Sequence, residues 1–478
     1  MVFSSLFFLY AFFPLCMLLY FVMPNIKLKN AVLLIFSLVF YSWGEPRMII
    51  LLIISVLLNY CFGLLIERYR GRGIAKAALA LSVICSLSSL AVFKYLGFFV
   101  DTVNSVLGFE IPVPQLALPI GISFYTFQIL TYVIDVYRDK VPAQRSPFRL
   151  LLYIACFHQL IAGPIVRYED IARELDDRHA SLDDIFVGVR RFAIGLGKKV
   201  LIANLCGEVA SQILDSDFTT MTVVSAWFGI ILFSLQIYFD FSAYSDMAIG
   251  MGRMCGFHYR ENFNYPYISR SVTEFWRRWH ISLGSFFRDY VYIPLGGNRR
   301  HQFFNLLAVW ALTGLWHGAS MNFVVWGLYF FVFIVLEKFL IGKLLEKLPV
   351  ISNLYLLFVV ICGWGFFYYT DLSDCLSLLS VMLGFSGNAL YDSLSMITIQ
   401  NNLPILIIGI LCCLPFAQWF KSLAKGYEER RIKRGLGTNI FLDNVQIAAS
   451  GALIIASLAL STVMLIGQSY NPFLYFRF

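Results

Sequence analysis

Residues 302–341 read QFFNLLAVWALTGLWHGASMNFVVWGLYFFVFIVLEKFLI. No charged residue precedes Glu337, so the run is apolar enough for a bilayer, yet Gly314, His317 and Gly318 interrupt it near the middle. Polar or irregular backbone is tolerated at membrane depth only where it is buried in protein or lines a water-filled cavity. The stretch therefore predicts half-spans or a re-entrant helix that wall an internal cavity.

The composition of the whole chain agrees with a membrane location. Of its 478 residues, 59% are hydrophobic and 14% are charged, against about 25% charged in a typical soluble domain. The first 25 residues lack the basic start and cleavage site of a signal peptide, which predicts a retained first helix. The net charge of +8 comes without a polybasic block, so no nucleic-acid partner is expected. The ten scattered cysteines suggest neither a disulfide framework nor a metal site.

The distribution of apolar runs predicts an all-α, polytopic membrane protein. A span needs about 20 mostly apolar residues, and 150–166 resembles 302–341 in being apolar but broken, so we expect about ten to twelve transmembrane helices. Basic residues after the third span and acidic residues after the fourth place the N-terminus outside. Candidate spans lie near residues 3–23, 28–44, 48–66, 77–99, 115–137, 185–214, 222–250, 350–370, 402–420 and 446–468.

One polar insertion, at about residues 252–301, mixes aromatic with basic side chains, as in Trp276, Arg277 and Arg278. This mixture predicts amphipathic helices at the inner membrane interface or dipping below it. A simple interfacial anchor, with arginines holding lipid phosphates, is an equally good explanation of the Trp and Arg content. It does not explain why His280 stands among them.

His317 is the residue in the apolar run that most needs an explanation. A neutral imidazole at depth can act as a general base toward an attacking hydroxyl, whereas a core histidine bonded to a carbonyl is the structural alternative. Within a membrane the functional reading is favoured, because ionisable groups there are costly. Gly314 and Gly318 would let a helix or a substrate approach closely. His158, before the probable break at Gly163, is expected to be structural.

Acidic residues at the inner end of the span near 222–250 predict a buried polar network that includes Asp240, Tyr244 and Asp246. Acids at that depth need donors, and the arginines of the following insertion are the nearest in sequence. His179, by contrast, lies among charged residues and is predicted to belong to a solvated loop.

Several long motifs, in order along the chain, resemble the membrane-bound O-acyltransferase (MBOAT) family. Within it they are most similar to the branch of the alginate O-acetyltransferase membrane subunit and related bacterial polysaccharide and peptidoglycan O-acetyltransferases. The resemblance implies one integral-membrane domain over residues 1–478, with a catalytic core at about 115–340 and the helices in a ring around a thin central funnel. The matching segments are residues 118–138, 161–168, 238–257, 262–299 and 312–327.

The resemblance also implies roles for residues. The WHG histidine, His317, would stand at the reaction point with the RWH histidine, His280, as its companion. Residues of the same motifs are candidates to bind the donor or the acceptor: Trp276, Arg277, Arg278, Arg288, Asn298, Trp316 and Asn322.

The activity implied is transfer of an acyl group, expected to be acetyl, from a cytoplasmic thioester such as acetyl-CoA, with no tightly bound cofactor and no metal. The acceptor would be a hydroxyl of an extracytoplasmic partner protein, an exported polysaccharide or peptidoglycan, and the location the cytoplasmic membrane of a bacterium, in contact with lipid. A non-enzymatic carrier or channel with a histidine-lined path is the alternative; the absence of an internal repeat counts against it.

Overall fold

A computed structural model describes residues 1–114, 116–160, 163–433, 440–467 and 470–474, and their regular elements are all helical. The fold class predicted from composition is therefore confirmed, and the chain is a multi-pass membrane protein. Residues 161 and 162 of the motif at 161–168, and the last four residues of the chain, lie outside the described part.

The α-helices are numbered here in chain order. Three π-helical segments continue the helices before them: Lys198–Ala203, Arg288–Tyr292 and Glu337–Ile341. A fourth, Phe8–Phe12, precedes the first α-helix, and Pro266–Ile268 is a 3-10 turn. The helices are α1 Phe13–Val22, α2 Ile26–Gly44, α3 Ile49–Arg68, α4 Gly73–Leu107, α5 Ile122–Tyr137, α6 Pro147–Ala155, α7 Phe157–Leu160, α8 Tyr168–Ile171, α9 Leu182–Gly197, α10 Asn204–Leu214, α11 Val223–Met254, α12 Val272–Arg278, α13 Ile281–Phe287, α14 Gln302–His317, α15 Met321–Leu336, α16 Gly342–Lys347, α17 Pro349–Tyr368, α18 Leu372–Met382, α19 Ser393–Cys412, α20 Phe416–Lys433 and α21 Ile440–Gly467.

Eight helices in the described ranges are long and apolar enough to span a membrane. Two further apolar helices, Phe8–Val22 and Leu372–Met382, are shorter. The predicted span at 115–137 is a 16-residue helix that begins only at Ile122, and the one at 402–420 corresponds to a helix that begins at Ser393 and is followed by α20. Ten to twelve crossings, and their arrangement as a ring, remain predictions.

The interior of the fold is organised around α11, whose apolar and small residues are buried on all sides, as in a helix surrounded by protein. Its tightest neighbour is α9. A Cβ atom added at Gly188 would lie 2.7 Å from the Gly250 carbonyl oxygen, and one added at Gly250 would lie equally close to that of Gly188. Glycine at both positions is therefore required for this backbone contact.

The acids of α11 are neutralised by residues that precede the helix. Asp240 pairs with Lys199 at 2.6 Å and accepts a hydrogen bond from the Leu474 amide at 2.9 Å, while Asp246 pairs with Arg191 at 2.8 Å and with Lys198 at 2.7 Å. The expectation that arginines of the insertion serve as donors was wrong. Helix packing brings the basic residues of α9 and of the π-helical segment that follows it alongside α11, whereas the insertion leaves from its end.

The insertion at 252–301 dips into the protein. It forms the two seven-residue helices α12 and α13, and their aromatic side chains pack on other helices instead of facing outward. Trp276 contacts Trp310 and Trp326 at ring-centroid distances of 5.2 and 5.3 Å, and Trp279 contacts Trp364 at 4.9 Å. A simple interfacial anchor does not describe this segment, because its large apolar surfaces are buried in the protein core.

Candidate active site

His317 is the last residue of α14, which ends because Gly318 adopts an extended conformation. The final carbonyl groups of a helix lack partners within it. Here the ammonium of Lys94, on α4, donates to the Trp316 carbonyl at 2.5 Å and to the His317 carbonyl at 3.2 Å, and the Tyr95 hydroxyl donates to the Leu315 carbonyl at 2.6 Å. A cation at this end also complements the helix dipole. These contacts hold the backbone of His317 in place.

The imidazole of His317 is enclosed by aromatic rings. Its centroid lies 4.8 Å from that of Trp316, 5.0 Å from that of Trp326 and 4.9 Å from that of Phe367, all in edge-on arrangements. Across the residues that the structure describes, no hydrogen bond occupies the ring nitrogens, and the side chain is only partly buried because it lines a cavity. Packing against aromatic rings thus holds the imidazole in place and leaves its nitrogens available to bind a ligand.

The glycines of the WHG region serve helix packing. A Cβ atom at Gly314 would lie 2.4 Å from the Phe323 carbonyl oxygen, and one at Gly327 would lie 2.4 Å from the Trp310 carbonyl oxygen. One at Gly318 would overlap the Phe323 ring. The sequence predicted that these glycines admit either a helix or a substrate. The structure shows a helix, α15, packed against them.

His280 lies between α12 and α13, with a left-handed backbone at φ 46°. Non-glycine residues in this region are uncommon and occur where the surroundings enforce them. The Asn262 side-chain oxygen accepts from His280 Nδ1 at 3.2 Å, from the Ser282 amide at 3.1 Å and from the Ser282 hydroxyl at 2.9 Å. A neutral ring that donates from Nδ1 has an unprotonated Nε2, and His280 Nε2 is buried without a partner in the described structure.

His280 and His317 line the same cavity, whose volume is about 1060 Å³. Its outer part is charged and exposed, with Arg270, Arg277 and Lys338 among the lining residues, and its deeper part is aromatic. His317 also lines a second cavity of about 40 Å³, together with Asp240 and a set of aromatic and aliphatic side chains. His317 therefore stands between a wide, charged chamber and a small, apolar one.

The predicted binding residues divide into two groups. Arg277, Arg288 and Asn298 line the large cavity, Trp316 lines the small one, and Trp276 lines both. The contacts of Arg278 and Asn322 indicate structural roles. The Arg278 guanidinium pairs with Glu274 at 2.8 Å. The Asn322 side chain donates to the Phe366 and Tyr369 carbonyls at 2.9 and 2.7 Å, at the end of α17.

The charge of Arg288 is partly balanced. Its guanidinium Nε lies 2.7 Å from Asp289, which also pairs with Arg167 at 2.7 Å. Burial opposes ionisation of Asp289, but hydrogen bonds from Arg288 and Arg167 hold the pKa of this carboxyl below its ordinary value. Arg277, which is exposed at the cavity, is the better placed of the two arginines to meet an anionic ligand.

The predicted polar network does not form one cluster. Tyr244 stacks on Phe473 at 3.8 Å, and its hydroxyl lies 3.5 Å from that of Ser4. His158 is fully buried, with Nδ1 at 2.9 Å from the Tyr259 hydroxyl and Nε2 at 3.0 Å from the Cys156 sulfur. Neither residue lines the cavities described above, whereas Asp240 lines the small one.

Three residues of the site escaped prediction from the sequence. Lys94 caps the helix of His317, Asn262 orients His280, and the Glu337 carboxylate accepts from the Val272 and Thr273 amides at 2.5 and 3.0 Å, at the N-terminus of α12. Lys94 and Glu337 carried a usable signal, since each is a charge within an apolar span. Among the described residues, no group of three His, Cys, Asp or Glu could hold a metal ion.

Comparison with known proteins shows to which family the chain belongs. A model of MBOAT, the membrane-bound O-acyltransferase family, matches residues 77–379. Over the full length of both chains, the protein is 37% identical to a probable alginate O-acetylase AlgI of Azotobacter vinelandii and 36% identical to one of Pseudomonas putida. It is 32% identical to a peptidoglycan O-acetyltransferase of Helicobacter pylori, over 82% of this chain and 81% of the relative. The matched region includes His280, His317 and the tryptophans that line the two cavities.

Proposed function

Because the chain belongs to the membrane-bound O-acyltransferase family and is a membrane O-acyltransferase, we propose that it moves an acetyl group from a cytoplasmic thioester to an extracytoplasmic hydroxyl. The observation that carries the proposal is the position of His317, whose imidazole lines both the wide charged cavity and the small apolar one. A thioester that enters by the wide cavity can place its acyl group in the small one, with the reacting carbonyl beside His317.

His317 is the general base of this reaction. Its ring nitrogens are free of protein partners in the described structure, and the side chain faces the cavity. The imidazole takes the proton of the acceptor hydroxyl as the oxygen attacks the thioester carbonyl, and then returns it to the departing sulfur. His280 orients the donor: its unpaired Nε2 is an acceptor for an N–H group of the donor's amide-containing arm.

The large cavity receives the donor. Arg270, Arg277 and Lys338 at its exposed part supply cations for the phosphate groups of acetyl-CoA, and the aromatic depth suits an uncharged thioester. The donor is a substrate that dissociates after each turnover, so no tightly bound cofactor is needed. Under this proposal residues 252–301 face the cytoplasm, the N-terminus lies outside, and the chain resides in the cytoplasmic membrane of a bacterium.

The acyl group is short. A water-sized occupant needs about 10–15 Å³ of this kind of volume, so the 40 Å³ cavity beside His317 accommodates about three heavy atoms, the number in an acetyl group. The names of the relatives, alginate O-acetylase and peptidoglycan O-acetyltransferase, favour a cell-envelope or exported glycan as the final acceptor. The acetyl group reaches it directly or through a hydroxyl of an extracytoplasmic partner protein.

The test uses purified protein in lipid vesicles supplied with acetyl-CoA and with alginate or peptidoglycan fragments as acceptors. His317→Ala is expected to lower the rate of CoA release and glycan acetylation by about a hundredfold to ten-thousandfold. His179→Ala is the matched control, since the side chain of His179 is 93% exposed, and should retain full activity. A folded, inserted His317→Ala protein with wild-type turnover would exclude His317 as the base.

The same vesicles separate this reaction from transport. Acetyl-CoA consumption without net flux of an intact solute supports acyl transfer. Solute flux without thioester cleavage would support the carrier or channel instead.

A further inference from the structure

Three buried hydrogen-bond donors surround the small cavity without a partner. The indole N–H groups of Trp276, Trp316 and Trp326 are inaccessible to solvent and bond to no atom of the described chain. All three residues line the 40 Å³ cavity together with His317. An indole nitrogen can only donate, and an unpaired buried donor is rare enough in native proteins to require an explanation.

We propose that these indole N–H groups bind the carbonyl oxygen of the acyl donor and stabilise the negative charge that it acquires during transfer. The inference rests on the acyl transfer proposed above. It assigns the oxyanion-binding role to tryptophan side chains instead of backbone amides.

The three indole rings lie next to the imidazole or next to one another. The imidazole centroid of His317 lies 4.8 Å from Trp316 and 5.0 Å from Trp326, and Trp326 lies 5.3 Å from Trp276. A base and an oxyanion-binding donor have to reach the same carbonyl group, one near its carbon and the other near its oxygen. The three indoles and the imidazole line the same small cavity, so a carbonyl group bound there would lie beside both.

Two other tryptophans show that the unpaired state is not general. Trp364 also lines the small cavity, but its indole N–H donates to the Tyr267 hydroxyl at 3.2 Å. Trp227, which lines neither cavity, donates to the Met382 carbonyl at 2.8 Å. These two indole donors have protein acceptors, whereas the three grouped at His317 do not in the described structure.

The reaction balances with the groups present. The acceptor oxygen forms a bond to the thioester carbon as its proton passes to His317, and the carbonyl electron pair moves to the oxygen held by the indoles. When the pair returns, the carbon–sulfur bond breaks and the sulfur takes the proton from the imidazolium. The products are an acetyl ester and a free thiol. Donors that the fold holds in place in advance stabilise this charge without having to reorganise.

The test replaces single indoles by benzothienylalanine, which keeps the shape of tryptophan but has sulfur in place of N–H, and compares these proteins with Trp276→Phe, Trp316→Phe and Trp326→Phe. Loss of one oxyanion donor is expected to lower kcat by about a hundredfold to a thousandfold at one or more of the three positions. The KM for acetyl-CoA should change little, because the interaction strengthens only in the transition state.

The control is the same isosteric replacement at Trp227, which lines neither cavity and whose indole N–H donates to the Met382 carbonyl, and it should retain kcat within a few-fold. If the three isosteric proteins fold and retain wild-type kcat while the wild type transfers acetyl, the indole assignment is wrong and the proposed function stands. If the wild type itself cleaves no acetyl thioester, the proposed function and the indole assignment both fail.

Discussion

Gly314→Ala tests whether the contact between α14 and α15 sets the position of His317. The added Cβ would lie 2.4 Å from the Phe323 carbonyl oxygen, whereas ordinary van der Waals contact begins at 3.4 Å. Backbone atoms cannot rotate away as a side chain can, so the helices must separate by about 1 Å at this point, and overpacking of this kind costs about 1–3 kcal/mol. His317, one turn further along α14, would shift with the helix.

A displacement of about 1 Å at a reacting group can reduce turnover by roughly a hundredfold. We therefore expect Gly314→Ala to lower both the midpoint of thermal unfolding and the rate of acetyl transfer, with the rate measured well below that midpoint. Gly451→Ala is the control, because Gly451 lies within α21 and a Cβ there would meet nothing within 4 Å. Its activity should be unchanged. A Gly314→Ala protein with wild-type unfolding temperature and turnover would refute the reasoning.

Three further predictions concern residues that hold the site from a distance. Lys94→Met leaves the last carbonyls of α14 without their donor and should lower kcat more than it raises the KM for acetyl-CoA; equal turnover in kinetic assays would contradict this. Lys199→Met leaves Asp240 as an unpaired buried charge and should destabilise the protein by about 3–5 kcal/mol in thermal unfolding, much of it recovered when Asp240→Leu is added. Asn262→Ala removes the acceptor of His280 Nδ1 and should reduce kcat at least tenfold while costing only about 1–3 kcal/mol of stability; unchanged kcat would show that the orientation of His280 is unimportant.

Local sequence patterns predicted much of the fold because insertion of a helix into a membrane depends mainly on the hydropathy of its own residues. Hydropathy over about 20 residues identifies a membrane span whatever its neighbours are, so composition alone settled the fold class. The contrast between an imidazole and its apolar surroundings singled out His317 in the same way. Where several structures satisfy one pattern, the sequence left alternatives open: the glycines beside His317 could admit a helix or a substrate, and only the structure shows that α15 packs against them.

The tertiary structure decided which groups meet. Lys94 contacts the carbonyl of a residue 223 positions further along the chain, and Asp240 is neutralised by Lys199 instead of an arginine of the adjacent insertion. Such pairs depend on which helix faces pack together, and no periodicity within either segment encodes the partner. The sequence by itself determined a membrane-embedded protein, predicted acyl transfer through its family resemblance and singled out His317. Only the packing of α4, α11, α12, α14 and α15 placed that histidine between two cavities and grouped unpaired indole donors around it.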